Sequence, residues 1–380
     1  MQLLTKGMPH NLFEPIVGRI TRDPDKEENN SILILENEFR SNISGFDTIL
    51  TNLNISEDYS SPAVSNVPTF DHLFEGDIIS INPLGQINTL YRVNSHQNFI
   101  LTTERCNSNC LMCSQPPKNK NDIPYLFELY KKLIPLIPKD CKEIGITGGE
   151  PTLMGDLFFE LLSIIKRELP STEIHCLTNG RSFAWNGMAE KLSELRLSTL
   201  MLGIPLYSDY YQTHDYVVQA SGAFEQTVLG LHNLAWHDQR IEIRIVLHKL
   251  TIPRLVKLAK YIYKNLPFVE HVTFMGLEYT GYTPYNIEKL WIDPHDYMDQ
   301  LQEAVEYLAG YGMNVSIYNS QLCVMPKTLW KYARRSISDW KNIYLEECQS
   351  CLIKAECGGL FASCKDKHSK YIKAFESSVS

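Results

Sequence analysis

Cys106, Cys110 and Cys113 stand at C-x3-C-x2-C within ERCNSNCLMCSQPP, residues 104–117, directly after the apolar run Phe99 to Thr103. Clustered cysteines of this kind hold metal or do redox chemistry. A structural zinc needs four closed nitrogen or sulfur donors. The nearest histidines, His96 and His175, lie before the run and far beyond the loop. Three thiolates suit a cuboidal [4Fe–4S] cluster better, because each holds one iron and the fourth iron keeps an open coordination site. The chemistry predicted for this loop is that of a cluster with one exchangeable position.

A second group follows late in the chain. Cys348, Cys351 and Cys357 in CQSCLIKAECGG read C-x2-C-x5-C, with Cys323 upstream in YNSQLC and Cys364 just beyond. Four thiolates close a site, and Cys323, Cys348, Cys351 and Cys357 are the predicted set, with Cys364 as the substitute. Spacing does not separate a second cluster from a four-cysteine zinc site, since both accept tetrahedral thiolates. Cys141 and Cys176 lie in or beside apolar strands and read as small core residues. His214, beside Asp215, and His248 have no partner histidine at a metal-binding spacing and read as surface or core residues.

The elements that must position these cysteines are legible as periodicity. Residues 1–97 place short apolar runs, SILIL and GDIISI among them, between polar loops, which predicts a small β-rich domain. From Asn98 the runs FILTT, EIGIT, EIHCL, STLMLGI, IEIRIVL and HVTFM alternate with helical patterns, the signature of a parallel sheet. Helices are expected at Leu126 to Ile137, Leu157 to Leu169, Ala223 to His237, Ile252 to Asn265 and His295 to Tyr311. About six such units form an open sheet or a partial barrel over residues 98–320. Residues 321–380 lose the periodicity and are expected to fold around metal.

Composition narrows the partners. A net charge of −8 with pI near 5.8 argues against nucleic acid, which is gripped by clustered Lys and Arg. The one dense basic spot, Lys331 with Arg334 and Arg335, reads as a solvated helix face. No basic start precedes an apolar run, and nowhere do eighteen apolar residues follow one another, so neither export nor membrane insertion is expected. Ten cysteines then fit a reducing cytoplasm.

Further polar residues fall at strand ends. Gly148, Gly149, Glu150 and Pro151 follow EIGIT, where two glycines permit close backbone approach and Glu150 adds fixed polarity. Thr178 and Asn179 sit in the turn LTNG after EIHCL. Arg244 lies among apolar residues of IEIRIVL and needs a partner, either a bound carboxylate or an internal acid. Barrel enzymes place chemistry at the C-terminal ends of strands, which makes Glu278 in FMGLEYTG a candidate catalytic base.

C-x3-C-x2-C after a first strand resembles the signature of radical S-adenosylmethionine enzymes. The resemblance implies a partial (β/α)6 TIM-type barrel, with S-adenosylmethionine bound through its amino and carboxylate groups to the open iron and cleaved to a 5′-deoxyadenosyl radical. It also implies that GGEP contacts the methionyl amino group, that Thr178 and Asn179 belong to the cofactor site, and that Met112 takes the place of an aromatic residue near the adenine; the bound-carboxylate reading of Arg244 would add it to that site. Where relatives carry a ribose-contacting serine, this chain has Pro205. The tail resembles the twitch and SPASM extensions of peptide-modifying relatives, with Phe361 where a further cysteine would follow, which implies one auxiliary [4Fe–4S] cluster.

From about Gly76 to Phe361, the strings LMCSQPP, GGEPT, IPLYSD, FMGLE with TG, LWIDP, SISDWKN and CxxC…CGG together resemble the radical maturases of the His-Xaa-Ser peptide system. This implies modification of a ribosomally made peptide bearing His-Xaa-Ser repeats, a second radical maturase as partner, and an electron donor such as flavodoxin or ferredoxin. An extended leader peptide is expected to add to an exposed strand edge of the N-terminal domain. The readings it competes with are a radical enzyme acting on a small metabolite and a non-enzymatic iron–sulfur or zinc scaffold.

Overall fold

The computed structural model describes residues 3–26, 28–37, 45–56, 59–335 and 342–376. They fall into two compact units, one of residues 1–100, 123–145 and 160–172, the other of residues 101–122, 146–159 and 173–380. Of the strings named above, SISDWKN lies outside the described residues over 336–341.

The first unit contains a sheet of eight strands: β1 (Leu4–Lys6), β2 (Met8–His10), β3 (Ile16–Thr21), β4 (Ser31–Leu35), β5 (Thr48–Thr51), β6 (Ala63–Ser65), β7 (Ile78–Ile81) and β8 (Gln86–Tyr91). Their order is β1-β8-β7-β3-β4-β5-β6-β2. The two end strands are consecutive pieces of one stretch of chain. β1 pairs with β8 and β2 with β6, and only Gly7 separates them, so the stretch 4–10 closes the sheet on itself. Gly7 makes the switch of partner: a Cβ there would lie 2.4 Å from the Ser65 carbonyl, and its N–H bonds Gly85 O at 3.0 Å. Inside, Ile20, Ile32, Leu50, Val64, Ile79 and Ile87 form one buried cluster.

The second sheet has seven strands in chain order: β9 (Asn98–Leu101), β10 (Glu143–Thr147), β11 (Glu173–Leu177), β12 (Leu200–Pro205), β13 (Arg240–Leu247), β14 (His271–Gly276) and β15 (Val315–Tyr318). β11 to β15 pair in parallel. The crossovers carry α1 (Ile123–Leu133), α2 (Asp156–Glu168), α3 (Asn186–Glu194), α4 (Tyr211–Val218), α5 (Ala223–Trp236), α6 (Leu255–Asn265), α7 (Ile287–Leu290) and α8 (Met298–Gly310). Six crossovers on seven strands make the α/β architecture a partial barrel.

Sequence dictates these elements directly. β10 buries Ile144, Gly145 and Ile146 in succession, as a parallel strand covered on both faces does. α6 buries Leu255, Leu258, Ala259 and Ile262, one stripe at helical spacing. Prolines trim three of the expected helices. Pro135 lies in a 3-10 turn that ends α1 at Leu133, while Pro253 and Pro294 place 3-10 turns before α6 and α8. α3 and α4 were not expected. After β15 the chain forms 3-10 turns and one short antiparallel pair, β16 (Asn342–Ile343) with β17 (Leu360–Phe361). Among the described residues no helix is long and apolar enough to cross a membrane.

Candidate active site

The three-cysteine loop leaves the end of β9 and is held there from every side. Its base is closed by the Lys118 N–H to Glu104 O at 2.8 Å and by Lys118 and Lys120 on the Glu104 carboxylate, which hold that carboxyl below its ordinary pKa. Asp122 accepts from Thr103 Oγ1 at 2.6 Å and from the Glu104 N–H at 2.7 Å. Within the loop, the N–H groups of Asn109 and Leu111 bond the Val218 and Val217 carbonyls at the end of α4. Asn286 donates to Leu111 O, and the Tyr282 N–H reaches Cys113 O.

The GGEP turn is the second half of this clamp. The Gly149 N–H bonds Thr103 O at 2.7 Å, and the Glu150 N–H bonds Arg105 O at 2.8 Å, immediately before Cys106. Gly148 has φ 150° with its Cβ position 2.5 Å from Thr103 O, and a Cβ on Gly149 would lie against Arg105 O. Only glycines let the two strand ends meet.

Glu150 is fully buried. One oxygen accepts from the Thr152 N–H, Thr152 Oγ1 and Thr178 Oγ1 at 3.1, 2.7 and 2.6 Å, the other from the Asn179 N–H at 2.7 Å. Burial pushes its pKa up while these four donors oppose that rise. The carboxylate thus ties the end of β10 to the turn after β11. Pro151 starts the 3-10 turn that follows.

That turn reaches back to the cysteines. Asn179 Nδ2 donates to Asn107 Oδ1 at 2.6 Å and stands 4.0 Å from Cys106 Sγ. Arg181 donates to Asn107 O and to Ser108 Oγ, and its Nε to Gln226. Burial and each other's charges raise the thiols, Cys106 to about 11 and Cys110 to about 12, and burial raises Cys113 as well. Three half-buried thiols that repel one another when ionised are a donor set waiting for positive charge, so the loop fits an iron–sulfur group.

Met112 is buried with Leu111, Tyr207, Val217 and Leu290. Tyr207, which sequence reasoning passed over, has its phenol raised by burial and further by the charges of Cys110 and Cys113, and its ring stacks on His214 at 5.8 Å. His214 and His248 are core residues held neutral by burial.

Arg244 finds its partner inside the protein. It donates to Glu242 Oε1 at 2.7 Å, and Glu242 also accepts from His271 at 2.8 Å. Of the two readings open for Arg244, the internal acid is the one present. Glu278 lines an open cleft of about 430 Å³ with Ser114, Gln115, Thr280, Phe361 and Ser363, and Ser363 Oγ stands 3.4 Å from its carboxylate. The cleft begins one residue beyond Cys113.

In the tail, Cys323, Cys348, Cys351 and Cys357 all line one small cavity, whose apolar walls include Leu322, Ile353 and Leu360. Cys364 is outside it, buried with its thiol toward Leu277 O at 3.8 Å. Among the described residues no three His, Cys, Asp or Glu side chains are grouped to hold a single metal ion.

Of the clamp residues, Arg181 had a signal, since it directly follows LTNG at a strand end. Asp122 and Asn286 had none: Asn286 is 175 residues from the carbonyl it holds.

Residues 100–262 match the family model of the radical SAM superfamily. The chain is 27% identical over 184 residues to the Fe-coproporphyrin III synthase of Methanosarcina barkeri, over 47% of this chain and 43% of that protein, and so spans under half the length of that relative. Among solved structures it is similar to anSMEcpe with bound AdoMet and a Kp18Cys peptide, at 17% identity and TM-score 0.50 over 74% of this chain and 93% of that one. It is also similar to SuiB of Streptococcus suis bound to S-adenosylmethionine, at 16% identity and TM-score 0.47 over 58% of this chain and 50% of that one. The first of these likenesses supports the fold.

Proposed function

We propose that this chain, whose residues 100–262 match the radical SAM superfamily model, cleaves S-adenosylmethionine reductively and uses the radical to modify a ribosomally made peptide, one carrying His-Xaa-Ser repeats. The observation that carries the reading is the clamp: Glu150 joins two strand ends, and those ends fix Cys106 and its neighbours. When bound, a [4Fe–4S] cluster with S-adenosylmethionine on its open iron supplies the 5′-deoxyadenosyl radical. Cys106, Cys110 and Cys113 would hold that cluster.

The peptide half of the reading has two supports. The cleft lined by Ser114, Gln115, Glu278, Thr280 and Ser363 offers hydroxyls, an amide and a carboxylate next to the cysteine loop, donors and acceptors suited to a peptide main chain and a cationic side chain such as histidine. Glu278 is the group placed there to take a proton or a positive charge. The four-cysteine tail cavity is the second support, as a site for an auxiliary cluster, with zinc as its alternative. The His-Xaa-Ser identity rests on the strings LMCSQPP, FMGLE and LWIDP.

The likeness to Fe-coproporphyrin III synthase favours a second reading, a radical enzyme acting on a small molecule. Anaerobic coexpression with a His-Xaa-Ser repeat peptide and a partner maturase separates them. A mass change in the peptide that depends on Cys106, with loss of two hydrogens per cross-link, is expected. An unmodified peptide, alongside turnover of a small metabolite, overturns the peptide reading.

A further inference from the structure

The four tail cysteines do not complete their cavity. Ile372, Lys373 and Phe375 line it as well. The Phe375 N–H points at Cys351 Sγ at 3.5 Å, and the Lys373 main chain lies at the Cys323 thiol, opposing the rise in its pKa that burial causes. The segment is fixed on both sides of these contacts. Phe375 O accepts the Leu352 N–H at 3.0 Å, and its ring meets Trp330 edge-on at 5.5 Å.

Upstream, Ser369 is buried and donates to Asp293 Oδ1 at 2.6 Å, while the Lys370 N–H bonds the other oxygen at 3.2 Å. Tyr371 stacks on His295 with ring centroids 3.8 Å apart. Asp293 thus explains the string LWIDP, which the proposed chemistry does not use. Its carboxylate caps the turn into α8 through the His295 N–H and, with the same two oxygens, holds a strap.

We propose that residues 369–375 are a cover over the tail metal site, supplying N–H donors to the sulfurs of Cys323 and Cys351 and latched shut by Asp293 and His295. Four thiolates around one metal centre carry excess negative charge, and N–H···S bonds offset it, raising the centre's reduction potential and slowing ligand loss. Lys354 and Lys373, both at the cavity, act in the same direction. The inference rests on the tail as a metal site and is independent of the substrate proposed above.

The test uses the full chain with Cys106, Cys110 and Cys113 replaced by Ala, so that only the tail centre is read. After anaerobic reconstitution, metal loss to a chelator is followed by absorbance, and the midpoint potential is measured where the centre is iron–sulfur. Phe375→Pro and Lys373→Pro each delete one N–H, and each is expected to speed metal loss about tenfold and to lower the potential. Ser369→Ala and Asp293→Asn keep both N–H donors but loosen the latch, and faster loss is expected in them too. If the proline variants fold poorly, the latch variants carry the test. Loss at the parental rate in every folded variant overturns the cover, whether the centre is iron–sulfur or zinc. A parent without tail metal overturns the metal site itself.

Discussion

The loop 106–113 brings three thiols together in one turn of chain, whereas the tail gathers four from points as far apart as Cys323 and Cys357. The loop is held from outside: Glu150, Asn179, Arg181 and Asn286 reach it from strand ends and turns, and a cleft opens one residue past Cys113. The tail cavity is walled by Leu322, Ile353, Leu360 and Phe375, with a strap across it. A site that must admit a cosubstrate and a substrate spends its polar contacts on fixing the ligands while leaving one side accessible. A site that only holds a metal centre, as proposed for the tail, is better enclosed, since a low-polarity wall protects it from hydrolysis and oxidation.

The sharpest break between the two is removal of the loop thiols. Replacing Cys106, Cys110 and Cys113 together by Ala is expected to abolish 5′-deoxyadenosine formation and, where the tail holds the proposed second cubane, to leave about half of the reconstituted iron. Chromatography of the nucleoside and an iron assay read both numbers. A triple variant stripped of all metal would join the two sites into one and end the comparison.

Glu150→Ala tests the clamp without touching a sulfur. The substitution removes the acceptor of four donor groups of Thr152, Thr178 and Asn179, and each buried group left unpaired costs about 1–3 kcal/mol. Misplacing a reacting group by about 1 Å costs on the order of a hundredfold in rate, so cosubstrate cleavage should fall about that far while the tail keeps its metal. A variant with parental cleavage would mean that the loop holds its own shape.

Acid should loosen the loop before the tail. His214 lies in α4, whose last carbonyls hold the loop, and burial lowers its pKa to about 4, with Asp215 raising and Arg181 lowering it; His248, beside Tyr207, is lowered by burial to about 3. An unfolded histidine takes up its proton near pH 6.5, so the folded state loses stability as pH falls from there toward these values. The slope is about 1.4 kcal/mol per pH unit for each histidine. The tail cavity has no histidine in its lining. Metal retention measured from pH 7 to 5 should therefore drop first in the loop, and equal losses in both would contradict the assignment of the weakness to His214.

How far the sequence could be read differs between these regions for physical reasons. β10 and β11 match the runs EIGIT and EIHCL residue for residue: β10 buries Ile144, Gly145 and Ile146 in succession, and β11 buries Ile174 and Cys176 in alternation. The partner of Arg244 was readable too: Glu242 is two residues away on the same strand and so on the same face. The closing of the first sheet was not, because β1 and β2 are three residues each and their meaning lies in partners near residues 64 and 87. The strap was hidden likewise, since nothing local marks Ser369 or Phe375 as neighbours of Asp293 and Cys351.

Cys364 is where spacing alone stayed open, and it carries the smallest expected effect. It follows Cys357 closely enough to be a ligand by count, but the 3-10 turn Ala362–Cys364 directs it away from the cavity, into a cluster with Leu360 and Phe361 and toward the Leu277 carbonyl. Cys364→Ser keeps a donor for that carbonyl and should leave tail metal content and the potential of the tail centre at parental values. Cys357→Ser, one ligand of the proposed four, should lose most of the tail metal in the same assay. If the two substitutions exchange these outcomes, Cys364 is the ligand and the cavity must rearrange around residues 360–364 when metal binds.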